Sequence, residues 1–479
     1  MDFSLDQLRA VARALGYRPL ERAELWLERL KMNKAEIEAF QSYDGKLPNN
    51  PFSTRSSSIS LPAGAMPIPF TSYTWEPRPQ SMQVALEHNA FISVGPTAHH
   101  QGKVPVAVKD LMRVKGFPLT GGTKDRDWTE LKTEASVVSR IRLAGAEVIG
   151  TTNLHELAYG VSSRNPHHKH VENAVDRELT PGGSSGGSAV AVSLGAVPVA
   201  IGTDTAGSIR IPAACNSVVG FKPSYGALPT DGVIGLGWSL DHVGPLSVNV
   251  DWTSWAFAAM SGREMSVDLN SIDTRGTKIG FLGGYFESPL VTECHGAVEF
   301  ARRAASSLGY ATKSGLVVKH AAMAAAIQFL TLAPEATACH LARLLSSGQD
   351  LGEDVRVRLE AGLFLPAFFY PRAQFLRRHL DDEINSLLES HDVLVSSTLR
   401  CLPPRSDALQ VTIEGQTFPA HTAMTQLTMP FNLTGHPAIT IPIPALSGGL
   451  VAIQLVGRKG EDWRLLAVAK AFESAMASL

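Results

Sequence analysis

The sequence predicts an α/β fold preceded by a small N-terminal helical appendage. From about residue 85, short apolar runs alternate with stretches of helical periodicity, a pattern typical of strands and helices in a layered sheet. The 479 residues are 44% hydrophobic and 18% charged, as in an ordinary soluble globular protein with a large core. The opening residues contain helix signals and no strand pattern, so we treat them as a separate appendage.

The appendage comprises residues 1–43. Ser4-x-x-Gln7 is a capping box, and the apolar residues that follow it at helical spacing predict a helix that stops near Gly16. A second helix is predicted over 20–32, and Asn33-x-x-Glu36 caps a third. Two interpretations are open. The appendage forms a homodimer or partner contact, or it packs against the main body, which we favour.

A segment rich in Pro, Ser, Asn and Gly follows over 44–71 and predicts a linker or surface loop. Residues 72–479 then form the main domain. Within it, 265–380 is richer in helix signals and is typical of an elaboration on the sheet, not of a separate domain.

The main domain opens with an apolar strand at 104–108 that leads directly into Lys109. An amphipathic helix over 134–145 precedes a strand at 147–150. Small apolar residues over 188–196 predict a buried helix, and 197–201 predicts a strand that ends at Gly202-Thr203-Asp204.

Charge and composition exclude several classes of function. The net charge of −2 gives no field for nucleic acid or an anionic membrane. The longest nearly apolar run, 189–202, is too short for a bilayer, and the N-terminus lacks the basic start of a signal peptide. The four cysteines form no C-x-x-C, and the paired histidines (99–100, 167–168) are typical of surface residues without metal-ligand spacing. We expect a cytoplasmic protein without metal or cofactor.

Two serines compete for the role of nucleophile. Gly182-Gly183-Ser184-Ser185-Gly186 fits the G-x-S-x-G pattern of a nucleophile elbow, but an elbow needs a strand that runs straight into the serine. Residues 168–181 are instead a polar loop closed by a proline. Ser208 fits better, because it follows a predicted strand and precedes a predicted helix, where backbone N–H groups can stabilise an oxyanion.

The motifs around both serines resemble the amidase signature family. The resemblance covers about residues 80–475 and rests on the Gly/Ser run at 182–188, the segment GTDTAGSIRIPA at 202–213 and GFKP at 220–223. Flanking matches lie at 106–110, 239–245 and 430–438. The family fold implies a mixed central β-sheet covered by helices on both faces, with 72–479 as the catalytic domain and 265–380 near the substrate pocket.

The resemblance also implies a Ser–cisSer–Lys triad. Ser208 would be the nucleophile, Ser184 the bridging serine after a cis peptide bond from Gly183, and Lys109 the terminal base. Burial at the end of an apolar strand would lower the pKa of Lys109 enough for it to act as a base. The expected oxyanion hole consists of the N–H groups of Thr205, Ala206, Gly207 and Ser208. The residues expected to support the loops are Gly183, Ser185, Asp204 and Arg210.

The expected activity is hydrolysis of a small-molecule carboxamide or related acyl–nitrogen bond. The aromatic segment 363–370 has two interpretations, a lid over an apolar substrate or a turn between helices, and the first favours an aryl amide or a carbamate (a urethanase activity). Two alternatives remain: one component of a tRNA-dependent amidotransferase complex, and a non-catalytic binding protein on an amidase scaffold. A Ser-His-Asp triad that pairs Ser208 with a distant histidine such as His242 or His436 also stays open, although we expect packing roles for both.

Overall fold

The structure is a computed structural model that describes residues 4–14, 22–32, 59–76, 78–95, 102–124 and 132–479. The third predicted helix of the appendage, most of the predicted linker and the His99-His100 pair lie outside these residues.

The described residues form fifteen strands. In chain order these are β1 (Met66–Ile68), β2 (Phe91–Val94), β3 (Val104–Lys109), β4 (Ala146–Thr152), β5 (Val199–Asp204), β6 (Val219–Lys222), β7 (His242–Ser247), β8 (Ser266–Asp268), β9 (Lys278–Leu282), β10 (Ala311–Leu316), β11 (Val393–Ser397), β12 (Gln410–Ile413), β13 (Gln416–Pro419), β14 (Ala438–Pro442) and β15 (Ala452–Val456).

Fourteen α-helices accompany them in the same described ranges. They are α1 (Leu5–Ala14), α2 (Ala23–Met32), α3 (Ser81–Glu87), α4 (Ser136–Leu143), α5 (Gly186–Ser193), α6 (Arg210–Cys215), α7 (Val250–Met260), α8 (Thr292–Ser307), α9 (Ala324–Ser347), α10 (Glu353–Gly362), α11 (Phe369–Ser390), α12 (Ala420–Thr425), α13 (Met429–Leu433) and α14 (Asp462–Ala477).

Eleven of the strands make one mixed sheet in the order β10-β9-β11-β15-β14-β6-β7-β5-β3-β4-β2. The pairs at its centre include both directions: β5 lies antiparallel to β7 and parallel to β3, and β3 lies parallel to β4. The mixed α/β sheet that the sequence predicts is therefore confirmed, and its centre contains the strand that ends in Lys109.

Helices cover both faces of this sheet. Val106 and Val108 of β3 pack with α4 and α7 in one hydrophobic cluster, whereas Ala107 packs with α5 in another. This alternation follows from the period of two in a strand, since neighbouring side chains point to opposite faces. Lys109 shares its parity with Ala107, so its side chain lies on the face that α5 covers.

The N-terminal helices pack against the main body. Ser4 and Gln7 form the predicted capping box, with reciprocal hydrogen bonds of 2.9 and 3.2 Å. Trp26 of α2 is fully buried, and its ring lies 4.8 Å from that of Phe364, which follows α10. Packing, the interpretation favoured above, is thus what the described part of the appendage does.

Two details differ from the sequence-based expectations, and a third favours one of two interpretations left open. The segment 44–71 contains the short strand β1, which pairs with β8. The segment 265–380 supplies two strands of the central sheet, β9 and β10, in addition to its helices. Residues 363–370 connect α10 to α11, with Phe364 buried and Phe368 exposed, which agrees with a turn between helices.

One helical stretch in the described ranges, 321–350, is long and apolar enough to cross a membrane by length and composition. Its most apolar window is 56% buried inside the protein, where α9 packs against α10 and α11. Burial of this kind is typical of a helix in a protein core.

Candidate active site

Parallel neighbouring strands bring Lys109 and Asp204 to one edge of the sheet. Lys109 is the last residue of β3 and Asp204 the last of β5, and the two strands pair in parallel. The carboxyl ends of parallel strands lie at the same edge, so the loops that follow them gather there. The loop with Ser208 begins directly after Asp204.

Lys109 is fully buried, and its amine contacts three hydroxyl groups. Its Nζ lies 2.7 Å from Ser184 Oγ, 2.9 Å from Ser185 Oγ and 2.8 Å from Thr203 Oγ1. Burial lowers its pKa to about 7, against the opposing effect of the more distant Asp204 and Asp241 carboxylates. At neutral pH a substantial fraction of this amine is uncharged.

Ser184 follows a cis peptide bond from Gly183 and is fully buried. Close packing against the neighbouring loop explains the glycine, because a Cβ on Gly183 would lie 2.8 Å from Ser163 Oγ. Ser163 Oγ also donates to the Gly182 carbonyl at 2.8 Å and accepts from Gly186 N at 3.1 Å. These contacts hold Ser184 where its hydroxyl meets the lysine amine.

A buried ion pair holds the loop with Ser208. Asp204 accepts from Gly207 N at 2.7 Å and from Arg210 Nε at 3.1 Å. Burial alone would raise the pKa of Asp204, but the Arg210 guanidinium holds it well below its ordinary range. Arg210 also donates to Asn432 Oδ1 at 2.6 Å and to the Thr428 carbonyl at 2.9 Å. The loop is thereby fixed to α13 and the segment before it.

The four expected oxyanion donors differ in availability. The Gly207 N–H is bonded to Asp204, whereas those of Thr205, Ala206 and Ser208 donate to no other residue in the described part of the chain. Gly207 has a φ of 130°, a backbone conformation that favours glycine, and a Cβ there would meet Thr428. Three of the four N–H groups are therefore available, with respect to the described residues, to receive a ligand oxygen.

The two serine segments meet at the backbone, where Ser185 N donates to the Ser208 carbonyl at 3.2 Å. Ser208 lines a cavity of about 140 Å³ together with Thr205 and Ala206. The other walls come mainly from α2, α9, α10, α12 and the loop after Ala158, and include Arg29, Gln328, Phe329, Arg358 and His421. No residue of 363–370 lines it. A larger groove of about 660 Å³ lies elsewhere, between 61–67 and 261–267.

Sequence reasoning missed several of these residues. Thr203 lies in the segment GTDTAGSIRIPA at 202–213 that the sequence analysis singled out. Its position in the strand, one residue before Asp204, could have indicated its contact with Lys109. Gln328 donates to the Thr205 carbonyl at 3.2 Å and comes from α9, which carries no motif that points to the site. Arg29 and His421 likewise give no signal in the sequence.

The histidines singled out in the sequence have other partners. His242 is buried and lies 2.6 Å from the Leu240 carbonyl through Nδ1, and His436 lies between Thr434 and Asn385. His167 lies 3.0 Å from Glu156 and His168 lies 2.9 Å from the Thr123 carbonyl. Among the described residues there is no group of three or more His, Cys, Asp or Glu side chains placed to hold a metal ion.

Fold and site together define a class of enzyme. A mixed α/β sheet presents, at one edge, a buried lysine, a serine after a cis peptide bond and a second serine beside available N–H groups. Hydroxyl groups arranged around an amine of low pKa are equipped for proton transfer and nucleophilic attack.

Comparisons with known proteins assign the family. The Amidase family profile matches residues 102–466, within the range of the resemblance found by sequence analysis. The chain is similar to AtzE, a 1-carboxybiuret hydrolase subunit of Pseudomonas sp. (strain ADP), with 32% identity over 74% of this chain and 79% of that protein. It is also similar to a glutamyl-tRNA(Gln) amidotransferase subunit of Methanospirillum hungatei JF-1, with 32% identity over 78% of this chain and 93% of that protein.

A solved structure described as the crystal structure of an amidase superposes with a TM-score of 0.76 and 32% identity, over 82% of this chain and 94% of that one. The chain therefore belongs to the amidase signature family. It is an enzyme of the hydrolase class that acts on carbon–nitrogen bonds.

Proposed function

We propose that the protein is an amidohydrolase that cleaves a carboxamide or related acyl–nitrogen bond through an acyl-enzyme on Ser208. One observation carries the proposal: the fully buried Lys109 has its Nζ 2.7 Å from Ser184 Oγ, in a site whose cavity is lined by Ser208. The hydrogen-bond partners of the Lys109 amine in the described chain are hydroxyls, so the amine itself is the base that the site offers.

The first step is a proton relay. Neutral Lys109 has a lone pair that accepts the proton of Ser184, whose oxygen accepts the proton of Ser208 as Ser208 Oγ attacks the substrate carbonyl. The hydroxyls of Ser185 and Thr203, at 2.9 and 2.8 Å, then stabilise the ammonium that Lys109 becomes. Lys109 thus changes its charge during the reaction inside a fixed ring of three oxygens.

The second step releases the amine. The carbonyl oxygen becomes an oxyanion, which the available N–H groups of Thr205, Ala206 and Ser208 receive, each worth about 2.7–4 kcal/mol where such donors have been removed. Ser184 returns the proton to the leaving nitrogen, the C–N bond breaks, and ammonia or an amine departs. Water then attacks the ester by the same relay, which gives a carboxylic acid and free Ser208.

The volume of the cavity limits the size of the substrate to that of a small molecule. Its volume of about 140 Å³ suits a short amide, and apolar side chains such as Leu332 and Met429 line part of it. The preference for aryl amides or carbamates rested on segment 363–370, which does not line this cavity. We therefore propose a small carboxamide first. A carbamate, which presents the same carbonyl to Ser208, is a second substrate for the same chemistry.

A second candidate function is that of one subunit of a larger enzyme complex, such as an amidotransferase, and the relatives favour it. Both similar proteins named above are subunits of larger enzymes, one an amidotransferase. If this chain works in such a complex, it needs a partner for full activity. Gel filtration of the purified chain combined with an amidase assay separates the two cases: a stable stand-alone species that hydrolyses amides supports the first.

The experiment that tests the proposal is covalent labelling of the nucleophile. A fluorophosphonate probe should label the wild-type protein on Ser208, and Ser208→Ala should lose both the label and amide turnover, a loss of about 10⁴-fold or more in kcat. Ser474→Ala, at an exposed serine of α14, is the matched control and should behave as wild type. Labelling that persists in Ser208→Ala would refute the assignment.

A further inference from the structure

A second cavity, of about 130 Å³, adjoins the cavity at Ser208. We call it the His242 cavity, after the buried histidine in its lining. The residues that line both cavities are Ala158, Thr205 and Leu236. Because Thr205 belongs to the loop that carries Ser208, the two cavities meet at the expected oxyanion donors.

The His242 cavity lies between the protein surface and the proton relay. Thr230 and Trp238 in its lining are exposed, whereas Thr203 is buried. Thr203 Oγ1 lies 2.8 Å from Lys109 Nζ, and the same amine lies 2.7 Å from Ser184 Oγ. A small molecule in this cavity is therefore close to the hydroxyl groups of the relay and also close to solvent.

One buried atom in this lining has no partner among the described residues. His242 Nδ1 lies 2.6 Å from the Leu240 carbonyl, and since a carbonyl only accepts, Nδ1 carries the imidazole proton. Burial, and after it the positive charge of Lys222, lowers the pKa of His242 well below its ordinary value, so the ring is neutral. Nε2 therefore has a free lone pair and is bonded to no other described residue. A buried acceptor of this kind needs a donor from a ligand or from solvent.

The other polar groups of this lining favour a ligand with several N–H donors. Burial raises the pKa of the Asp241 carboxyl to about 6, so at neutral pH this side chain is mostly a carboxylate. Among the described residues of the lining, Asp241 is the one that carries a formal charge. The threonine hydroxyls can also accept hydrogen bonds. Ammonium offers four donors and a positive charge, whereas water offers two donors and no charge, so these groups favour ammonium.

We propose that the His242 cavity binds the leaving nitrogen of the substrate, that His242 Nε2 accepts a hydrogen bond from it, and that the leaving group is ammonia or a small primary amine. The inference rests on the proposed function of Ser208. When Ser184 returns its proton, the nitrogen of a primary amide carries three N–H groups and a positive charge. The electron pair of the C–N bond then goes to nitrogen. Ammonia leaves with three hydrogens, and the acyl group stays on Ser208 as an ester.

The first test uses wild type and compares two monovalent cations of similar size. Hydrolysis of propionamide is measured at neutral pH in ammonium chloride and in potassium chloride of equal ionic strength. Ammonium should halve the rate at about 10–100 mM, which corresponds to the binding free energy of one or two net hydrogen bonds. Potassium has no N–H group to donate to His242 Nε2 and should leave the rate unchanged. Equal effects of the two salts would overturn the inference.

The second test removes the acceptor and compares two leaving groups. Propionamide and methyl propionate form the same acyl-enzyme but release ammonia and methanol respectively, and kcat/KM reports the steps up to that release. His242→Leu should lower kcat/KM for the amide by about 10-fold or more. The ester should stay within about threefold, because methanol is uncharged and has a single O–H donor. An equal loss on both substrates would indicate a role in packing and would contradict the proposal.

Two further variants accompany this comparison. His242→Gln keeps an acceptor and should retain part of the amide activity, and together with the ammonium test it decides the question if His242→Leu does not fold. The matched control is His391→Leu, at another buried histidine whose Nδ1 lies 3.0 Å from a backbone carbonyl, that of Leu387. His391 lines neither cavity, so both substrates should be cleaved as by wild type.

Failure of the inference and failure of the proposed function give different results. If the two salts act alike and His242→Leu loses amide and ester activity equally, while Ser208 still takes the fluorophosphonate label, the cavity holds ordered water only and the inference is wrong. If Ser208 does not label and Ser208→Ala keeps its ammonia release, the proposed function is wrong and the inference falls with it.

Discussion

Two fully buried lysines, Lys109 and Lys222, lie at the ends of strands of the same sheet and differ in their surroundings. Lys109 Nζ contacts three hydroxyls, and the serine loops around it open onto a cavity. Lys222 Nζ donates to the carbonyl of the adjacent Pro223 at 3.0 Å, and Lys222 does not line the cavity at Ser208.

Burial lowers the pKa of both amines. For Lys222 burial is the first cause and the positive charge of Arg210 adds to it, so its pKa lies well below the ordinary value. For Lys109 burial acts against Asp204 and Asp241, and the pKa stays at about 7. A lysine that is neutral because it is buried is therefore not yet a catalytic base. It also needs a hydrogen-bond partner that can donate a proton to it, and of these two lysines Lys109 is the one hydrogen-bonded to hydroxyls.

The largest expected effect is on turnover. Lys109→Met removes the proposed base and should lower kcat by about 10²- to 10⁴-fold, the usual contribution of a general base. Lys222→Met, the matched change at the other buried lysine, should leave kcat within about threefold. Circular dichroism should show that both variants are folded. Near-normal turnover in Lys109→Met at neutral pH would contradict the relay.

The next effect concerns stability, where the two lysines should behave alike. Each has a folded-state pKa below its unfolded value near 10.5, so the unfolded chain takes up a proton that the folded chain does not as the pH falls. Each therefore costs stability as the pH decreases from about 10.5 towards its folded pKa. Between pH 9 and pH 7, Lys109 removes about 2 kcal/mol from the unfolding free energy, and Lys222 acts in the same direction.

Chemical denaturation at these two pH values measures this difference. Lys222→Met and Lys109→Met should each reduce the stability lost between pH 9 and pH 7, relative to wild type. If the unfolding free energy of Lys222→Met depends on pH as that of wild type does, Lys222 is charged in the folded protein. The statement that both buried amines are neutral would then be wrong for Lys222.

The smallest effect is a shift in a pH profile. Since Lys109 must be neutral to accept a proton, kcat/KM should rise with pH through a midpoint of about 7 and then level off. Lys222→Met should leave this midpoint unchanged.

Asp241 provides the control for that midpoint, because burial raises its own pKa to about 6. Asp241→Asn removes a negative charge that favours the ammonium of Lys109, so the midpoint should move to lower pH by less than about one unit. If the rising limb disappears instead, Asp241 and not Lys109 produces it.

Local patterns made the centre of the site predictable. The apolar run of β3 required a strand that ends at Lys109, and the junction between β5 and α6 placed Ser208 beside backbone N–H groups, as the structure has it. Both inferences depend on short stretches of chain whose periodicity and length determine the local conformation.

The rest of the site depends on contacts between distant segments. Arg29, Arg358 and His421 meet in one cavity but come from three separate helices, and neither Arg29 nor His421 has a neighbour in the sequence that marks it. Strand β10 was missed for a different reason: it is a polar edge strand, exposed along most of its length, so it lacks the apolar alternation that predicts a strand.

Trp26 and Arg22 donate hydrogen bonds to the buried carboxylate of Glu360, and these contacts have a practical consequence for engineering. A shortened protein trimmed to the family-matched residues 102–466 would remove the indole of Trp26 and the guanidinium of Arg22 from a carboxylate that is shielded from solvent. Such trimming would expose this carboxylate to water close to the cavity at Ser208. The N-terminal helices should therefore be retained when the protein is prepared for crystallisation or biocatalysis.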